Sequence, residues 1–212
     1  MDKLKNYING ILTTPYSNNY INVHNPSTGD VFTMIPDSNS EDVELAVRSA
    51  EKAFPGWSGL SREERSGFLL KISELIKKNL DKFAIAESND SGKPLWLSKK
   101  VDIPRAIKNF EFFATAITHF SSEAHLTDDE ALNYTLRQPL GIVGAISPWN
   151  LPLYLFTWKI APALAAGNCV IGKPSEITPL TAFMLSEICI DVKLPEGVLN
   201  IIHGHGHTAG AA

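Results

Sequence analysis

The chain has 212 residues, of which 44% are hydrophobic and 20% charged, enough length and apolar content to bury the core of one large globular domain or of parts of two. A formal charge of −4 with no Lys/Arg-rich block excludes a broad electrostatic footprint for phosphate backbones, so no nucleic-acid partner is expected. No apolar leader or membrane-length apolar run occurs, and Cys169 and Cys189 show neither C-x-x-C nor Cys/His spacing, so a reduced, cytoplasmic setting without membrane contact is expected.

In chain order, Tyr20–Val23 and Val31–Met34 alternate in polarity around the turn formers Asn25–Gly29, which predicts a small antiparallel hairpin. Helices follow. Ser38 with Glu41 has the spacing of a capping box ahead of Val43, Ala46, Val47, Ala50 and Phe54. Ser61 with Glu64 repeats that signal ahead of Phe68, Ile72, Leu75 and Ile76. The clearest helix follows Pro104, with Ile103, Ile107, Phe110, Ala114 and Ile117 forming a stripe that reads as core. The polar stretch Ser121–Asp129 breaks the pattern, and Tyr134–Gln138 then reads as a strand at a sheet edge or in an arm that pairs with another subunit.

From Leu140 the character changes. Three short apolar runs, Gly141–Ile146, Cys169–Ile171 and Val198–Ile202, alternate with helix-compatible segments, which predicts a parallel sheet with right-handed crossovers. This is part of a doubly wound α/β domain, and ligands of such sheets lie beyond the carboxyl ends of the strands. Those ends read Ser147-Pro148-Trp149-Asn150, Lys173-Pro174-Ser175-Glu176 and Gly204-His205-Gly206-His207-Thr208-Ala209-Gly210. Trp149 and Asn150 between prolines form either a packing corner or part of a site. Lys173 and Glu176 are either an ordinary surface ion pair or the partners of two ribose hydroxyls. In the second case Glu176 repels a 2'-phosphate and selects NAD over NADP. The glycine run departs from G-x-G-x-x-G and follows the third apolar run, so a tight strand-to-helix turn explains it equally well. His203, His205 and His207 alternate with glycine without a carboxylate beside them, so they read as loop histidines and no metal is expected.

Taken together, P-W-N-x-P at 148–152, A-x-A-x-x-A-G-N ending at Asn168, K-P-S-E at 173–176 and the terminal G-x-G-x-T-A-G-A-A resemble the aldehyde dehydrogenase superfamily in order and spacing. Asn25–Gly29, Ala53–Trp57 and Glu64-Arg65 match its N-terminal part, so the similarity spans nearly the whole chain. The wording of Val101–Arg105 and Leu153–Lys159 looks most like the cytosolic branch associated with tryptophan breakdown through kynurenine.

The resemblance implies a Rossmann-like NAD-binding sheet, here incomplete, with an N-terminal hairpin and helices. Residues 1–139 would comprise the hairpin, the helical part of the NAD-binding domain and part of an oligomerisation arm, and residues 140–212 the first strands of the sheet. It implies that the Asn150 amide donates to the oxyanion formed when a thiolate attacks the aldehyde. Ser147, Pro148 and Trp149 would line the cofactor channel, Lys173 and Glu176 bind the ribose, and Gly206 and Gly210 lie in the segment passing the adenine. Arg105 would meet a substrate carboxylate, with an ordinary helix-surface charge as the alternative.

The family's reaction oxidises an aldehyde to a carboxylic acid, using a cysteine nucleophile and a glutamate general base. Neither Cys169 nor Cys189 matches the nucleophile, and no glutamate here matches the base. The catalytic domain is expected beyond residue 212, so the chain alone is expected to be inactive, with an exposed sheet edge and marginal stability. Homo-oligomers are expected of the full-length family. The alternative is a non-catalytic interaction protein, or truncated isoform, that assembles with a full-length homologue.

Overall fold

The computed structural model describes residues 2–212. Its centre is a five-stranded sheet in the order β2-β1-β9-β8-β7. The three apolar runs become β7 (Ile142–Ile146), β8 (Cys169–Lys173) and β9 (Leu199–Ile201), all parallel, with α6 (Pro152–Ala165) and α7 (Leu180–Asp191) as the crossovers. Successive side chains on a strand point to opposite faces. Gly172 of β8 accordingly faces Phe156 and Ile160 of α6, whereas Ile171 packs with Val43 and Ala46 of α1 (Ser40–Ser58). Helices therefore cover both faces, as a doubly wound α/β sheet requires.

The sheet is not left open at β9. Strands β1 (Asn6–Ile8) and β2 (Ile11–Thr13) form a hairpin that pairs antiparallel with β9, Tyr7 opposite Ile201. The β9 side is thus covered, and β7 remains a terminal strand, in line with the one exposed edge expected. The hairpin's turn is Asn9-Gly10, both with positive φ (53° and 79°), as a two-residue primed turn demands. Asn9-Gly10 is the local sequence signal of this hairpin. The predicted hairpin forms separately as β3 (Tyr20–His24) with β4 (Val31–Pro36).

Of the two predicted capping boxes one forms as read. Ser61 Oγ accepts from the Glu64 N–H at 3.1 Å, and the Glu64 carboxylate accepts from the Ser61 N–H at 2.8 Å, opening α2 (Arg62–Lys78). The other shifts by one residue: α1 starts after Asn39, whose N–H donates to Asp42, while Ser38 is buried and accepts from the Asn6 amide at 2.7 Å. Helix α3 (Leu80–Ser91) follows, and a short turn, α4 (Leu95–Leu97), runs through a π-helical segment (Ser98–Asp102) into α5 (Ile103–Thr118). The α5 stripe is core as read: Ile103, Ile107, Phe110 and Ala114 are buried, with Ile117 packed against them. They join Tyr7, Trp57, Phe83 and Phe156 in the main core, where each large apolar side chain contributes about 2 kcal/mol by burial.

The polar stretch before Tyr134 is not a break but half of a hairpin, β5 (Ala124–Thr127) with β6 (Ala131–Tyr134), turning through Asp128 and Asp129 at positive φ. The strand read at Tyr134–Gln138 therefore ends at Tyr134. Every residue of both strands is exposed, Leu126, Leu132 and Tyr134 included. Periodicity failed here because an arm without a buried face leaves no alternation to read.

Candidate functional site at the strand ends

The turn after β7 is short and directed. Ser147 is buried, and its N–H donates to the Lys173 carbonyl at 3.1 Å, the last rung between β7 and β8. Pro148, Trp149 and Asn150 follow and all three are exposed. Pro152 then opens α6, where its missing N–H costs nothing and its fixed φ suits the first turn. Thr178 Oγ1 lies 3.5 Å from the Trp149 carbonyl, so the turns after β7 and β8 touch.

Lys173 ends β8 with its side chain only 6% exposed. Its ammonium donates to the Pro174 carbonyl at 3.0 Å and to Glu176 Oε2 at 3.3 Å. A buried lysine with a half-buried carboxylate is not an ordinary surface pair. Burial pushes the Glu176 carboxyl up, but backbone hydrogen bonding and Lys173 outweigh it and hold the group below the usual carboxylate range. His205, in the turn after β9, brings Nδ1 to 3.9 Å from Glu176 Oε1 and stacks on His207 with centroids 5.2 Å apart. Among the described residues no group of three or more His, Cys, Asp and Glu is arranged to hold a metal ion. His203 is instead fully buried under the sheet edge, where burial and Lys173 push its imidazole down to about 3.

The glycine run divides into two roles. A Cβ on Gly206 would project into open space, so the backbone there lies free above the strand ends. A Cβ on Gly210 would stand 2.6 Å from the Gly206 carbonyl oxygen, so that glycine is accounted for by the packing of the turn itself. A buried lysine, an ionised carboxylate and bare loop backbone at one parallel sheet edge fit a dinucleotide's ribose and adenine end.

Arg105, exposed on α5, lies over the Tyr154 ring at 5.4 Å from the centroid. Tyr154 belongs to the first turn of α6, four residues after Asn150, so the arginine stands beside the same end of the helix. Tyr154 and Phe113 each meet Trp158 edge to face, at 5.6 and 6.3 Å, and extend an aromatic wall from Arg105 that sequence reading did not single out. Its signal was Tyr154 and Trp158 at helical spacing.

Other motif residues are structural. Asn168 Oδ1 accepts from the N–H groups of Leu140 and Gly141 at 2.7 and 3.1 Å, and its amide donates to the Ala163 carbonyl, tying the end of α6 to the start of β7. Arg65 donates to the Ala165 carbonyl at 3.0 Å, at the carboxyl end of the same helix. Trp57 Nε1 donates to the Leu164 carbonyl. Cys169 and Cys189 are both buried, and burial pushes their thiols up to about 11 and about 12, far from nucleophilic at neutral pH.

Comparison with known proteins places the chain in a family. The profile of the aldehyde dehydrogenase family matches residues 13–212. The chain is 48% identical over 210 residues to human 2-aminomuconic semialdehyde dehydrogenase, and 40% identical over 212 residues to 5-carboxymethyl-2-hydroxymuconate semialdehyde dehydrogenase of Escherichia coli. These matches cover 99% and 100% of this chain but 43% and 45% of the relatives. The crystal structure of PnpE from Pseudomonas sp. WBC-3 in complex with nicotinamide adenine dinucleotide superimposes with a TM-score of 0.94 at 39% identity, over 98% of this chain and 42% of that one. On its sequence and its fold, the chain belongs to the aldehyde dehydrogenase family.

Proposed function

We propose that this chain carries the oxyanion donor and the NAD-binding edge of an enzyme that oxidises a carboxylate-bearing semialdehyde, of the 2-aminomuconate type, to the corresponding acid. The observation that carries the reading is the convergence of Asn150, the Lys173–Glu176 pair and the Gly206 backbone at one end of three parallel strands. In this reading Lys173 and Glu176 hold the ribose hydroxyls of the cofactor, Glu176 turns away a 2'-phosphate, and Ser147, Pro148 and Trp149 line the channel. Gly206, with Gly210 folding its loop, lets the backbone approach the adenine. Bound NAD supplies the acceptor for the hydride. Asn150 presents its amide to the aldehyde oxygen as negative charge develops there. Arg105, backed by Tyr154, binds the carboxylate that distinguishes a semialdehyde from a simple aldehyde.

In this reading the nucleophile comes from residues outside this chain; that both thiols here are buried, and that the chain spans 43% of the human relative, supports it. Residues 1–139 then serve as hairpin, helical support and oligomerisation arm, with β1 and β2 extending the sheet, and residues 140–212 supply the parallel strands of the cofactor sheet of a cytoplasmic homo-oligomer. The exposed Leu126, Leu132 and Tyr134 favour a second reading, in which the chain assembles through β5–β6 with an intact homologue as a non-catalytic partner.

The test is NAD binding by the chain, followed by NADH formation from a semialdehyde in the presence and absence of an intact homologue. Saturable NAD binding that is lost in Lys173→Met supports the first reading. Failure to bind NAD, with stable co-assembly, favours the second.

A further inference from the structure

The helices behind both candidate turns start without local caps. The residues at the cap positions are Leu151 before α6 and Pro179 before α7; neither makes a side-chain capping bond, and neither first turn contains an acidic residue. Open N–H groups at a buried helix start need acceptors from elsewhere. They come from α3, far away in sequence. Glu87 Oε2 accepts from the Leu153 N–H of α6 at 3.4 Å and from the Thr181 hydroxyl of α7 at 2.9 Å. One turn later Asp90 Oδ2 accepts from the Leu180 N–H at 2.6 Å. Both carboxylates are essentially inaccessible, Glu87 at 0% and Asp90 at 2% exposure.

One oxygen of Glu87 thus bridges the starts of two helices. Asn150 lies three residues before Leu153, and Glu176 lies four before Leu180. We propose that Glu87, seconded by Asp90, is a positioning residue that sets the spacing between the turn bearing Asn150 and the turn bearing Lys173 and Glu176. This rests on the cofactor-binding reading above.

The groups facing Glu87 are Lys93, whose ammonium is 4.0 Å from Oε1 and 2.8 Å from Asp102, together with Asp102, Asp90 and the Thr181 hydroxyl. Burial raises the Glu87 carboxyl to about 7 against the pull of Lys93 and Thr181. The buried, bridging arrangement holds the proton to that value, so by linkage the clamp is firmest with Glu87 protonated and loosens as pH rises towards it.

The experiment is NAD titration by calorimetry into the 212-residue chain and its Glu87→Gln and Glu87→Leu variants, from roughly pH 6 to pH 8.5. Amide hydrogen exchange is followed at the first turns of α6 and α7. Glu87→Leu is expected to weaken NAD binding about tenfold or more and to speed exchange at both turns. Glu87→Gln keeps an acceptor oxygen, so it is expected to retain binding but to lose the wild-type inflection near neutral pH. A folded Glu87→Leu chain with wild-type NAD affinity, or unchanged exchange, overturns the proposal; so does an inflection that survives in Glu87→Gln. Should Glu87→Leu fail to fold, Thr181→Val removes the α7 arm alone, and wild-type affinity and exchange in that variant sink the idea equally. Absence of NAD binding by the wild-type chain defeats the cofactor reading by itself, and exchange in Thr181→Val then decides whether the clamp exists.

Discussion

The Ser147 N–H and the Lys173 carbonyl, 3.1 Å apart, close the parallel ladder at the edge where the candidate groups gather. One rung links the turn that presents Asn150 to the lysine that pairs with Glu176. Substitutions on either side of it should therefore separate cofactor binding from folding.

Glu176→Gln removes a negative charge while keeping hydrogen-bonding atoms near Lys173. NAD affinity should fall by about tenfold or less, and NADP affinity should rise as the repulsion disappears. Paired calorimetric titrations with the two dinucleotides check this, and an unchanged NAD/NADP ratio would contradict the ribose assignment.

Gly172→Ala would place a methyl group 2.6 and 2.8 Å from two ring carbons of Phe156. The ring is fully buried and has little room to give, so overpacking should cost about 1–3 kcal/mol. Urea unfolding measures the loss. The double variant with Phe156→Leu should recover part of it, since the shorter side chain clears the methyl group.

Asn168→Ala should destabilise by about 1–2 kcal/mol, because the N–H groups of Leu140 and Gly141 lose their acceptor and water can replace it only in part, on the exposed Leu140 side. Asn168→Asp keeps the acceptor and should cost less. The comparison is made by equilibrium denaturation, and equal losses in the two variants would show that the acceptor is not what matters.

The pH dependence of stability has a definite sign at Glu87. Its folded-state value, raised to about 7 from 4.5, means that the native state binds the extra proton between those values. The stabilisation is complete below about pH 4.5 and is lost as pH rises towards 7, a change of order 3 kcal/mol at most. His203, pushed down from 6.5 to about 3, acts oppositely and gains stability as pH rises through that range. Asp90, raised by the same burial, adds to the Glu87 slope, so the wild-type profile mixes opposing slopes. The difference between wild type and Glu87→Gln should isolate the Glu87 slope, with the variant gaining relative stability from pH 4.5 to 7 and holding it above.

Much of the architecture was readable because it rests on local chemistry. Turn formers between alternating runs mark β3–β4, the Ser61–Glu64 box opens α2, and the α5 stripe repeats every three or four residues; each involves neighbours on one segment. The three apolar runs and the polar residues after them place the candidate site at the strand ends, since apolar strands leave their ends for polar groups. The P-W-N and K-P-S-E motifs were legible for the same reason.

What the tertiary structure decided depends on pairs with no shared local pattern. Tyr7 meets Ile201 across the edge of β9, Glu87 and Asp90 supply the acceptors that Leu151 and Pro179 cannot, and Arg105 finds Tyr154 on a neighbouring helix. The division between Gly206, with open space where a Cβ would stand, and Gly210, closed on its own turn, is likewise invisible in the spacing. Periodicity reports which face of a segment avoids water. It carries no information on which distant acceptor satisfies a buried N–H, because that match is made only when the helices pack and water is excluded from between them.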